Sequence, residues 1–316
     1  MEIILQFLLL ILGFAMLIKG ADWFVDGAAG IANKLGVPQL VIGLTIVAMG
    51  TSAPETAVSI GAAISGSADI AVGNILGSNI MNILLILGVT SIITPLAVQK
   101  NTIRIEIPFT ILITILFATL GLINANPNGS LNRIDGIILL VLFVVYMIYL
   151  FSQAKKGKTE IENIPEDKTN SYPKLIIFLV VGLAIIVLGS NITIDAATAI
   201  ARFFGISERF IGLTIVALGT SLPELVTCVI AGIKKNADIA IGNIVGSNIF
   251  NILLVGGLSA LITNVPYQGN FFFDSIVATV SVVLLLLCVL NKKHTLGRIG
   301  GIIMLIAYGV YFSQLI

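Results

Sequence analysis

Two thirteen-residue blocks each occur twice in this chain, and both pairs keep one offset of 169 residues. Gly43–Glu55 reads G-L-T-I-V-A-M-G-T-S-A-P-E and Gly212–Glu224 reads G-L-T-I-V-A-L-G-T-S-L-P-E, identical at eleven of thirteen positions. Gly73–Leu85 and Gly242–Leu254, built on G-N-I-x-G-S-N-I-x-N, match equally well. Asp26 and Asp195 share the register, as do Asp69 and Asp238. Chance likeness between apolar stretches would not hold one register across Glu, Asn, Pro and Ser. The chain reads as a tandem duplication, so its fold must be assembled from two similar halves.

The surroundings of the blocks say where those halves sit. Of the 316 residues, 57% are hydrophobic and 10% charged, against about 25% charged in a soluble domain. The apolar residues fall in runs long enough to cross a bilayer. Ten spans are expected. In the first half they are roughly Ile3–Leu17, Pro38–Ile64, Ile70–Ile93, Ile105–Leu122 and Ile134–Phe151. In the second they are Leu175–Ile192, Phe210–Ile233, Ile239–Ile262, Phe271–Leu290 and Ile299–Phe312. Residues 153–174 are a polar linker between repeats 1–152 and 175–316. Five spans per half is an odd number, so the second half enters the membrane from the opposite side. The expected fold is all-α and polytopic, two inverted five-helix repeats with a midplane site between them.

Alternate loops divide the basic residues unevenly. Fourteen, among them Lys19, Lys34, Lys155 and Lys234, fall on one side, and only Arg133, Arg202 and Arg209 on the other. Basic loops stay in the cytoplasm, which places the linker inside and both termini outside. The first apolar run lacks a basic n-region and reads as a first helix, not a cleaved signal. Cys228 and Cys288 lie inside apolar runs and read as packing residues.

Within the spans, charge is scarce and placed alike. Glu55 is the only charged residue between Lys34 and Asp69, and Glu224 the only one between Arg209 and Lys234. An ionisable residue at membrane depth is costly and marks function. Pro54 and Pro223 lack an amide proton, and Gly-Thr-Ser before each tolerates an irregular turn. Carbonyls near Gly50–Ser52 and Gly219–Ser221 are expected to be freed, which is tolerated in a membrane only where they line a cavity or are buried in protein. Carboxylates, hydroxyls and carbonyls are hard oxygen donors, and calcium takes six to eight of them. Zinc prefers His and Cys, yet the lone His294 falls in a loop. In the second block Ser78 and Asn82, four apart, share a helical face, as do Ser247 and Asn251. Helix packing is the bland reading for each of these polar residues, and it weighs more for Asn74 and Asn79. Two carboxylates give a −2 site that one Ca²⁺ neutralises, and an empty −2 site is costly. Calcium must then be replaced by sodium or protons, which is the logic of an antiporter.

Other classes fit less well. The net charge of +1 and the lack of a basic stripe argue against a nucleic-acid partner, and no G-x-x-x-x-G-K-[ST] sequence offers an ATP site. An intramembrane serine protease wants a His in a span, and a di-aspartyl protease wants two membrane aspartates. A passive channel would lack saturable, counter-ion-dependent flux. No enzymatic activity and no cofactor are expected, only the transported ions and the bilayer; the oligomeric state stays open.

G-T-S-x-P-E followed by G-N-I-x-G-S-N-I-x-N in each half resembles the alpha repeats of the calcium/cation antiporter superfamily, above all its compact prokaryotic sodium/calcium exchangers. The resemblance implies a multi-pass protein of a prokaryotic cell membrane that exchanges Ca²⁺ for Na⁺. It implies calcium ligation by Glu55, Glu224 and the carbonyls of Thr51 and Thr220. It implies sodium sites at Ala48, Ser52, Ser78 and Asn82, and at Ala217, Ser221, Ser247 and Asn251. Sliding of the long first and sixth helices past the core is the implied motion. Potassium-dependent relatives carry Asp at the position of Asn251, which disfavours potassium co-transport. The proton-coupled branch carries an acid where Gly77 and Gly246 stand, which disfavours proton coupling and leaves proton-coupled exchange as the alternative reading. Some archaeal relatives also carry Asp at the Asn251 position.

Overall fold

A computed structural model describes residues 2–123, 129–161, 171–205, 217–267 and 269–315. Residues 210–216 of the seventh expected span, residues 162–170 of the linker, and Arg209 lie outside them. The described chain is helical, with four two-residue strands. In chain order the helices are α1 (Glu2–Leu35), α2 (Gln39–Thr51), α3 (Ala53–Ile64), α4 (Asp69–Ile93), α5 (Thr102–Ile123) and α6 (Arg133–Ile161). They continue with α7 (Tyr172–Phe203), α8 (Ala217–Thr220), α9 (Leu222–Ile233), α10 (Ala237–Ile262), α11 (Gly269–Val289) and α12 (Arg298–Leu315).

Among the described residues seven helices are long and apolar enough to cross a membrane, or eight if the bent pair α2 and α3 is one span. The fold is therefore a polytopic helical membrane fold. α9 is apolar but shorter, and the chain before α8 is not described.

Burial sorts the helices into a centre and a rim. α4 and α10 are mostly buried, and the stretch Ile239–Phe250 is buried throughout. α1 points large apolar side chains outward, with Ile4 63% and Ile11 67% exposed. Such a surface is stable only against hydrocarbon, because contiguous apolar area in water drives association.

α1 and α7 run further than their apolar cores predict, to 34 and 32 residues. They pack antiparallel along most of their length. Glycines at a seven-residue spacing, Gly13, Gly20 and Gly27, meet the backbone of α7 near Gly189, Gly182 and Leu175–Leu179. A Cβ at Gly182 would lie 2.6 Å from the Phe24 amide nitrogen and 2.8 Å from the Gly20 carbonyl oxygen. Without hydrophobic drive between helices in lipid, such close backbone approach supplies the packing energy.

Outside the helices, the halves are stitched to each other. β1 (Leu96–Ala97) pairs antiparallel with β4 (Thr295–Leu296), and β2 (Ser130–Leu131) with β3 (Val265–Pro266). Each pair joins a loop of one half to a loop of the other.

One ionic tie holds α1 to the helices around the site. Lys234, which closes α9, reaches Asp22 at 2.6 Å, Asp26 at 2.7 Å and the Asp22 carbonyl at 2.9 Å. Lys19 adds a second contact to Asp22 at 2.9 Å. Burial alone would lower the Lys234 amino group, but Asp22 and Asp26 outweigh it and raise it. A raised amine stays paired below the ordinary lysine range and releases only as pH climbs past its own raised value. At the 169-residue offset the corresponding positions are Ser65, Asn191 and Asp195, so the first half has no lysine there. Lys234→Met is expected to cost about 1 kcal/mol or less, as exposed pairs do. Backbone amides of 19–26 should then exchange faster while those of α10 stay protected; equal protection in the variant would show that the tie bears no load.

Candidate cation site

The expected break is present. The helix ends at Thr51 and restarts at Ala53, bent by 52°. Ser52 at the joint has φ −81° and ψ 9°, and Ser221 in the other half has φ −94° and ψ 7°. Both lie in the sparsely allowed bridge region. Pro54 and Pro223 then occupy the first turn of the next helix, where a missing amide proton costs nothing. One expectation is corrected: the Ser52 carbonyl is not free, because it accepts from the Thr56 amide at 3.0 Å and hydroxyl at 2.8 Å. The Ser221 carbonyl likewise accepts from the Leu225 amide at 3.0 Å.

Each motif serine serves the glutamate of the other half. The Ser52 hydroxyl donates to Glu224 Oε1 at 2.8 Å, and the Ser221 hydroxyl donates to Glu55 Oε1 at 3.1 Å. Both glutamates and both serines are 0–1% exposed. The second oxygen of each carboxylate, Oε2, is buried without a partner.

The second block adds a set of buried amides. Asn79 and Asn248 each donate to the other's backbone carbonyl at 3.1 Å. Asn82 donates to Asn248 Oδ1 at 3.0 Å and Asn251 to Asn79 Oδ1 at 3.1 Å. These bonds turn the side-chain oxygens of Asn82 and Asn251 away from protein partners, and both are buried and unpaired. A π-helical segment starts at each, Asn82–Leu87 and Asn251–Gly256. Such widened turns concentrate at functional positions.

α10 crosses α2 closely enough to add contacts. A Cβ on Gly246 would stand 2.8 Å from the Ala48 Cβ and 2.9 Å from the Leu44 carbonyl. Across that crossing the Ser247 hydroxyl reaches the Ala48 carbonyl at 3.5 Å, and Thr51 donates to Asn243 Oδ1 at 2.9 Å. Ser78 is 5% exposed, one turn before Asn82, and Thr220 is half-buried on α8. Ala217 opens α8, and its side chain lies outside the described residues.

The sequence missed several of these parts. Asn79, weighed toward packing, orients Asn251, and its copy Asn248 orients Asn82. Asn74, also weighed toward packing, donates to the Glu55 carbonyl at 3.1 Å and to Ser59 at 2.9 Å. The 169-residue register, applied to every asparagine of the second block, would have flagged them.

Buried polar atoms without partners are rare in native proteins. Here four acceptor oxygens, on Glu55, Glu224, Asn82 and Asn251, are left unpaired by helices from both halves. Among the described residues no three His, Cys, Asp or Glu side chains gather. The donors are two carboxylates with amides, hydroxyls and carbonyls, a hard oxygen set suited to Na⁺ or Ca²⁺.

The model of the sodium/calcium exchanger protein family matches residues 5–152 and 174–316. The chain belongs to this family. It is 41% identical over 308 residues to the putative antiporter CaxA of Alkalimonas amylolytica, covering 94% of each chain. It is 32% identical over 348 residues to the sodium/calcium exchanger MaX1 of Methanosarcina acetivorans, covering 99% of each. Its fold superposes with TM-score 0.85 on the sodium-calcium exchanger NCX_Mj soaked with 10 mM Na⁺ and zero Ca²⁺, at 34% identity, covering 99% of this chain and 100% of that one. These relatives are transporters, not enzymes. The family and the shared fold make this chain a membrane antiporter for calcium and other cations.

Proposed function

We propose that the chain exchanges Ca²⁺ for Na⁺ by alternating access at a midplane site between two inverted five-span repeats, 1–152 and 175–316. The observation that carries this reading is the four unpaired buried oxygens, contributed equally by the two halves. The reciprocal Ser52–Glu224 and Ser221–Glu55 bonds support the inverted arrangement, since each half completes the other's acid. The basic-residue asymmetry supports a cytoplasmic linker and outside termini, and the prokaryotic sources of CaxA and MaX1 support a prokaryotic cell membrane.

In this reading Glu55 and Glu224 hold Ca²⁺ with the carbonyls of Thr51 and Thr220. Sodium takes Ala48, Ser52, Ser78 and Asn82 on one side, and Ala217, Ser221, Ser247 and Asn251 on the other. The serine hydroxyls that now donate to carboxylates can rotate and offer a lone pair to an arriving cation. With no ion bound, two ionised acids without a counter-charge destabilise the buried site. The protein therefore changes face when loaded and stalls when empty. Gly77 and Gly246 add no third acid, which supports sodium over protons as the counter-ion.

Sodium-loaded proteoliposomes placed in sodium-free medium should accumulate calcium, and dissipating the sodium gradient should stop it. Uptake indifferent to sodium but driven by a pH gradient would replace this reading with proton exchange.

A further inference from the structure

A second buried acid lies outside the cation site. Glu106 on α5 is 2% exposed, and its Oε1 accepts a hydrogen bond of 2.5 Å from the Tyr149 hydroxyl on α6. Its Oε2 is buried with no partner. Two neighbouring hydroxyls are in the same state. Thr102 Oγ1, at the other end of the π-helical turn Thr102–Glu106, is fully buried and unpaired. So is the hydroxyl of Tyr146, whose ring stacks on Tyr149 at 6.2 Å and on Phe109 at 5.4 Å.

The charges around Glu106 do not neutralise it. On its own element Arg104 is exposed, as is Lys100 just before it, and among the described ion pairs none joins either to Glu106. From α6 it meets the two tyrosines. Asp238 on α10 is held by Gln99 at 2.6 Å, and Asp274 on α11 by Tyr311 at 3.0 Å. An ionised carboxylate without a counter-charge is expensive at such a position.

We propose that Glu106 is an exchangeable proton-binding site, separate from the cation site. A proton taken from water at the nearby membrane face adds to Oε2 and makes a neutral acid. Its O–H then donates to the Thr102 or Tyr146 hydroxyl, which satisfies atoms that are otherwise orphaned. A metal cation fits less well, since only three unpaired oxygens gather here and two belong to neutral hydroxyls, whereas a hard cation such as calcium takes six to eight. The exposed residues Asn101 and Arg104, less than two turns away, provide a short path to water.

The second half repeats the acid–tyrosine pair. Asp274 accepts from Tyr311, and Tyr308 and Tyr311 repeat the spacing of Tyr146 and Tyr149. That copy is partly exposed, so only Glu106 is sealed. The consequence reaches the cation site by contact, because α5 and α6 both pack on the π turn that begins at Asn251. Losing the proton would leave a buried charge and force α5 and α6 to repack, so occupancy of Glu106 makes the exchange rate depend on pH.

Infrared spectroscopy of the full chain in lipid tests this. With Glu55→Gln and Glu224→Gln as background, the central acids are silent. The further change Glu106→Gln should then remove one protonated-carboxyl C=O band, and that band should bleach as pH rises. Tyr149→Phe keeps the acid and should move the same band to higher frequency, which guards against a variant that fails to fold. No band lost in Glu106→Gln overturns the proposal. A band that never titrates overturns it as well, since the acid would be permanently neutral. A carboxylate band that shifts on adding Na⁺ would make the site a sodium site instead.

Discussion

Glutamine at Glu55 or at Glu224 should abolish calcium transport. The change is small in volume, and the folded protein should keep its assembly, because Oε1 and its serine donor remain or have close substitutes. The electrostatic change is large. A unit charge a few ångströms from the ion is worth about 4 kcal/mol at an effective dielectric near 20. That corresponds to roughly a thousandfold weaker binding. The amide also turns an unpaired acceptor into a donor pointed at a cation. Radiolabelled calcium uptake in proteoliposomes would read the effect, with circular dichroism to confirm folding. Retained uptake in either variant would overturn the assignment of the pair as the calcium site.

The second large effect is structural. Gly182→Val should destabilise the protein by about 3 kcal/mol, the upper end of the usual overpacking range. The Cβ alone would collide with the Phe24 amide and the Gly20 carbonyl, and backbone atoms cannot rotate aside. α1 and α7 would have to separate along the line where they touch. Gly309→Ala provides the contrast, since nothing lies within 4 Å of its Cβ position. Helix propensity alone should make that change neutral or favourable by up to about 1 kcal/mol. Thermal unfolding in detergent should separate the two. Equal midpoints would mean that the α1–α7 contact contributes little.

The duplicated blocks made much of the site legible. A carboxylate beside a proline, repeated in one register, points to a broken helix, and Glu55 and Glu224 each follow such a break and accept a bond from the other half's motif serine. What could not be read was the crossing of partners. Ser52 belongs in sequence with Glu55 but bonds Glu224, because the bend at Ser52 turns its hydroxyl toward α9. Asn79 looked like packing because amides commonly bridge membrane helices. Its role in orienting Asn251 depends on how closely α4 approaches α10, a distance fixed by packing and invisible to periodicity. The π turns at Asn82 and Asn251 were also hidden, since the apolar run Ile-Leu-Leu after each fits an ordinary helix equally well. The lengths of α1 and α7 were underestimated for a related reason. Lys19, Asp22 and Asp26 look like a span's end, yet Lys234 and the glycine contacts let the helix continue through them.

The Lys234 tie also bears on traffic through the protein. Two halves built on the same blocks would open toward either face at nearly equal cost, but the lysine of this clasp has no copy in the first half, where Ser65 stands at the matching position. A carrier returns to its starting form after each turnover, so the clasp cannot alter how steep a calcium gradient a given counter-ion gradient sustains. What it can alter is pace. Entry from the two compartments should saturate at different ion concentrations, giving the transporter a preferred direction of rapid response without any change in its final balance.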